Sequence, residues 1–152
     1  MRKAVRLAAL GLLMVLLAAG CRGSGRAGKF SGEFESLTLG DGPAVLQRHY
    51  EQQKAIPGLT VFESEGATYL LLRAGRVEHP GWAVQVLTVK PPAKGEKLVQ
   101  VNAVVQEMAG ETGVYPYALL RLYDASGLTF RARLSNRSEV PLELPGIPLV
   151  EQ

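Results

Sequence analysis

The chain predicts a mainly β (α+β) fold, an antiparallel sheet meander, sandwich or half-barrel with one short helix near residues 43–55. Three observations predict it. Residues 81–122 hold three β-rich runs, GWAVQVLTV, LVQVNAVVQEM and YPYALLRL, divided by the turn-rich KPPAKGEK and AGETGV. In Leu98–Val105, Val99, Val101, Ala103 and Val105 fall on one face and Gln100 and Asn102 on the other, which is the two-residue period of a half-buried strand. Only Pro43–Ala55 carries helical spacing, with Leu46 four residues before Tyr50 and Val45 four before His49.

The first 20 residues read as an address. Arg2, Lys3 and Arg6 precede the apolar run Leu7–Ala19. That run falls short of the ~20 residues of a membrane-spanning helix and suits the core of a secretory signal. It ends in Leu17-Ala18-Ala19-Gly20-Cys21, which resembles the lipobox of bacterial lipoproteins, with Ala18 where that motif prefers leucine. The resemblance implies a signal helix removed by cleavage before Cys21 and a diacylglyceryl group on the Cys21 thiol. A plain secretory signal or an uncleaved anchor is the simpler alternative. Cys21 is the single cysteine, so no disulfide framework competes for it. Residues 22–28, RGSGRAG, read as a flexible tether with a reach of roughly 15 Å. Arg22, Arg26 and Lys29 would face anionic headgroups. The expected organisation is a signal peptide over 1–20, a lipidated Cys21 and tether over 21–29, and a single β domain over 30–152.

The net charge of +3 misleads. The first 29 residues hold six basic side chains and no acidic one, leaving residues 30–152 with eleven basic and fourteen acidic, a net of −3. A mildly acidic domain without a basic stripe argues against a nucleic-acid partner. About 120 residues bury a core without disulfides.

Within the domain, Glu33–Leu39 reads as a short first strand. Pro43 suits the first helical position, where its missing N–H would be unpaired, and Pro57-Gly58 ends the helix. Leu59–Glu63 and Thr68–Arg73 are strands parted by Ser64-Glu65-Gly66. In Trp82–Val89, strict alternation places Trp82, Val84, Val86 and Thr88 on one face and Ala83, Gln85, Leu87 and Val89 on the other. Lys90–Lys97, with two prolines, is a hairpin loop. Ala118–Tyr123 sets Leu119, Arg121 and Tyr123 opposite Ala118, Leu120 and Leu122. Short connections between these three runs predict an antiparallel meander. Leu128–Leu134 is a last strand. Val140–Val150, holding Pro141, Pro145 and Pro148, is too proline-rich for a central strand and is expected along an edge.

Gly81-Trp82-Ala83-Val84, Leu98-Val99-Gln100-Val101 and Tyr115-Pro116-Tyr117, in that order and preceded by the run Tyr69–Gly75, resemble the PrcB C-terminal domain. That family is named for a lipoprotein subunit of a bacterial surface protease complex. The likeness spans residues 68–122. It departs at Pro80-Gly81-Trp82, where the family has two glycines and a tyrosine, and at Met108-Ala109-Gly110, where it has a proline. It implies a non-catalytic accessory subunit that holds or presents an extracytoplasmic protease.

Candidate sites are few. Tyr115-Pro116-Tyr117 is either a rigid turn that starts a strand or an exposed aromatic pair that docks a partner, and an aromatic before proline raises the cis fraction of the bond. Trp82, the sole tryptophan, is either core with Val84 and Val86 or a partner contact. His49 and His79 are the only histidines and lack the spacing of a zinc site. Glu63 and Glu65 would share a strand face, though a solvated turn is the plainer reading. No nucleophile elbow or phosphate loop occurs. No catalytic residue, metal or cofactor is therefore expected. The expected function is a membrane-anchored interaction subunit on the extracytoplasmic side of the cell envelope, held by acylated Cys21. The second class is a peptide- or polysaccharide-binding or protease-inhibitor-like module, with a concave groove lined by Trp82 and Tyr117. A hydrolase, the third, lacks an evident nucleophile–base pair.

Overall fold

The computed structural model describes residues 30–136 and 139–151. The expected signal, Cys21 and the tether lie outside the described residues. The chain forms β1 (Glu35–Leu37), a 3-10 turn (Leu39–Asp41), α1 (Ala44–Gln53), β2 (Gly58–Ser64), β3 (Ala67–Arg73), β4 (Trp82–Lys90), β5 (Leu98–Glu107), β6 (Tyr117–Tyr123), β7 (Thr129–Asn136) and β8 (Glu139–Pro148). The strands make one eight-stranded sheet in the order β1-β6-β3-β2-β8-β7-β5-β4, curled into a half-barrel with one helix.

The sheet is mixed, so the expected meander holds only in part. β4 and β5 are an antiparallel hairpin. β6, however, lies between β1 and β3, and the second neighbour of β5 is β7, in parallel. The reason is which faces each strand must cover. β5 and β7 are apolar on one side only: Val99, Val101, Ala103 and Val105, and Phe130, Ala132 and Leu134, are buried inward. Arg131 and Arg133 stay outward and exposed. β3 and β6 are apolar on both sides. Leu70, Leu72, Leu120 and Leu122 enter the inner core, while Leu71 and Leu119 enter a second cluster with Leu46 of α1. Two-faced strands need cover on both faces, and α1 supplies it only over the β1-β6-β3-β2 half.

The final strand also departs from expectation. β8 is central, between β7 and β2. Its first part pairs antiparallel with β7 as far as Pro145, and its last residues, Gly146–Pro148, pair parallel with β2. Each part thus has one partnered side, so a strand containing three prolines can stand in mid-sheet without losing a ladder on both sides. Gly146 sits at the changeover. A Cβ there would lie 2.9 Å from Phe130 O and 2.9 Å from Val61 Cγ2, so close backbone approach requires glycine.

In β4 the register shifts between Val86 and Thr88. This bulge places one extra residue in β4 and reverses the facing of the residues beyond it. Val89, not Thr88, is buried with the inner core, and Thr88 accepts a 2.9 Å bond from Asn102 Nδ2 on the outer side.

The registers define two poles. One gathers the starts of β2, β4, β6 and β8 with the ends of β3, β5 and β7. At the other, Phe30 is buried in the inner core, and a Cβ on Gly32 would lie 2.9 Å from Val89 O. The chain therefore comes into the domain at the Val89 end of β4. Trp82 stands at the opposite end, roughly 23 Å along the strand at ~3.3 Å per residue.

Candidate functional site

Tyr115, Pro116 and Tyr117 hold the helix to the sheet. The ring of Tyr117 meets that of Tyr50 edge-on at 5.1 Å, and its hydroxyl accepts the Leu39 N–H at 2.9 Å. The Tyr50 hydroxyl donates to Tyr115 O at 2.7 Å, and burial raises its pKa. Lys54 Nζ stands 5.2 Å above the Tyr115 ring. Pro116 is buried and no peptide bond among the described residues is cis. The stretch is thus a rigid strand start whose aromatics are occupied by α1, so Tyr117 and Trp82 do not share a groove.

Arg73 closes the same region, and no motif in the sequence marks it. It is 7 % exposed, at the end of β3. Its Nη1 donates to Gln53 O, the last carbonyl of α1, and to Ile56 O in the turn that follows, each at 2.7 Å; cations are favoured at such a helix end. Nε has no partner among the described residues, and burial pulls the guanidinium below its ordinary pKa. Gly58 faces Nη2 so closely that a Cβ would collide with it. The signal in the sequence is an arginine ending the apolar run ATYLLLR. Its target, a helix end 17–20 residues earlier, is set by the fold.

Trp82 is half-buried at the first pole, where the half-barrel opens into a hollow of about 480 Å³. Trp82, Val77, Val105, Leu134, Val140 and Leu142 form its apolar wall, and Arg76, Glu78, His79 and Asn136 its polar rim. The connections across this mouth are stitched by Ala74 N–H to Pro116 O at 3.1 Å and Val77 N–H to Val114 O at 2.8 Å. A shallower hollow of about 420 Å³ shares Trp82 and His79 and reaches Glu107 and Met108. The indole is therefore a wall common to two adjoining hollows. Val140 is 86 % exposed, and Leu142 and Met108 are also exposed. Val140 and Leu142, on the run expected along an edge, reach the mouth because β8 starts at the first pole, paired with the end of β7.

The histidines are not brought together. His49 Nε2 lies 2.9 Å from Thr60 Oγ1 beneath α1, and burial, then the charge of Arg73, lowers its pKa. His79 is at the mouth. Glu65 occupies the β2–β3 turn with φ +51°, and Glu63 accepts from Gly127 N–H at 3.3 Å, so they do not form a pair. Among the described residues no three His, Cys, Asp or Glu side chains converge as a metal site would need. Comparison with family models, with curated proteins and with solved structures finds no match.

Proposed function

We propose that this chain is a bacterial lipoprotein, tethered by acylated Cys21 to the extracytoplasmic side of an envelope membrane, whose β domain works by adhesion as a non-catalytic accessory subunit. Its partner is an extracytoplasmic polypeptide, a surface protease in the family whose motifs it resembles. The observation that carries the reading is the mouth at Trp82: a lined hollow with exposed aliphatic residues on its rim, the kind of patch that marks an interaction surface. The hollow also favours the second reading, a peptide-binding or inhibitor-like module, which would use the same wall.

Covalent cross-linking in native membranes, followed by detergent extraction and mass spectrometry, tests it. One stoichiometric polypeptide partner is expected; a bare monomer at native expression sinks the accessory-subunit reading. Cys21→Ala is expected to leave the protein unprocessed or free of the membrane. A variant that matures normally and stays bound refutes lipidation.

A further inference from the structure

We infer that the Trp82 mouth takes an extended polypeptide segment bearing one bulky aliphatic side chain next to a lysine or arginine. This rests on the adhesion reading and deepens it. The two hollows on either side of the indole adjoin through Trp82 and His79 and form one trough. Their volumes, about 480 and about 420 Å³, lie in the range of built ligand sites. The rim is apolar at Val140, Leu142 and Met108, so the trough accepts an apolar side chain. Among the described lining residues the carboxylates outnumber the guanidinium: Glu78 flanks one hollow and Glu107 the other, against Arg76. Neither carboxylate has an ion-pair partner among the described residues. A cation on the incoming segment complements them.

Position argues against the two nearest rivals, the tether and lipid tails. The chain comes into the domain beside Val89, at the far end of β4. The eight residues between Cys21 and Phe30 span at most ~29 Å when fully extended, so the anchor comes level with Trp82, ~23 Å along β4, only if the tether is stretched nearly straight. In an anchored domain the mouth is thus at the pole opposite the one where the tether joins.

Trp82 is the single tryptophan, so its fluorescence reads the site directly. The full chain in phosphatidylcholine vesicles is titrated with three end-blocked peptides, Ala-Lys-Leu-Lys-Ala, Ala-Glu-Leu-Glu-Ala and Ala-Lys-Ser-Lys-Ala, and with lauric acid. The Lys-Leu-Lys peptide is expected to shift the emission saturably, about tenfold more tightly than the Glu-Leu-Glu peptide, with the Ser peptide and lauric acid giving no saturation. Glu78→Gln with Glu107→Gln should erase the Lys-over-Glu preference. Val140→Ser, at a position too exposed to endanger folding, should weaken binding of the Lys-Leu-Lys peptide several-fold while keeping the Lys-over-Glu preference. Saturation by none of the peptides, equal or tighter binding of the Glu peptide, or saturation by lauric acid overturns the inference. If the peptides fail while cross-linking still recovers a stoichiometric partner, the accessory reading survives and this site does not. If the peptides bind while the protein is a bare monomer in membranes, the site stands and the accessory reading falls.

Discussion

Replacing Arg73 by methionine isolates what the guanidinium contributes to holding α1. Methionine keeps a similar apolar stem and removes both 2.7 Å bonds, to Gln53 O and Ile56 O. Hydrogen bonds from a charged donor contribute ~1.5–3 kcal/mol each, and a cation at a helix C-terminus adds ~0.3–1 kcal/mol. Against this stands a desolvated guanidinium with Nε unpartnered, a burden of ~1–3 kcal/mol that the substitution relieves. The difference is a net loss of about 3 kcal/mol. For a domain of this size that lowers Tm by about 10 °C. Urea unfolding followed by circular dichroism measures it, and amide exchange in α1 should quicken first. Gly58→Ala drives a Cβ into Nη2 and should destabilise through the same contact. The two changes together should then lose less than the sum of each alone. An Arg73→Met protein within about 0.5 kcal/mol of the parent, or more stable than it, would mean that relieved desolvation outweighs the two bonds. The account of the helix end would then be wrong.

Three further outcomes rest on contacts of the same kind. Gly146→Ala forces a methyl to 2.9 Å from Phe130 O and Val61 Cγ2 and should lower unfolding stability by about 1–3 kcal/mol in a urea titration; unchanged stability would show that the β8 changeover has slack. Folding lowers the His49 pKa below 6.5, so the unfolded chain binds the proton more readily. Stability should therefore fall as pH drops below about 6.5, and His49→Gln should flatten that part of the profile, read from urea midpoints at about pH 7.5 and about pH 5. Tyr117→Phe leaves the Leu39 N–H without its 2.9 Å acceptor and should lose about 1 kcal/mol, with the Trp82 emission unchanged because Tyr117 lies across the sheet from the mouth.

Facing and pairing are legible in the sequence to different degrees along the chain. The alternation in Leu98–Val105 names its inward residues correctly, because a half-buried strand repeats every two residues whatever its neighbours. The helix, the β4–β5 hairpin and the mainly β content arise from similarly local causes: helical spacing, a proline-rich loop and runs of β-branched residues. Strand order does not. Leu119 and Leu120 announce a strand buried on both faces, but only the position of α1 says where two-faced cover exists. The prolines of β8 obey their rule locally, yet the strand stands in mid-sheet because its two halves bind different neighbours. The bulge in β4 escapes any two-residue count, since it changes the count itself.

The candidate site divides the same way. Trp82 is visible in the sequence as a lone tryptophan at the head of a strand. Its companions in the mouth, Val77, Leu134, Val140 and Leu142, lie up to 60 residues away and meet it only because the sheet curls. Residue types and short periods act through neighbours a few positions apart, so they specify elements and their faces. Which faces oppose one another is decided by burial summed over the whole chain, and from it come the helix-capping arginine, the open mouth and the pole at which it stands.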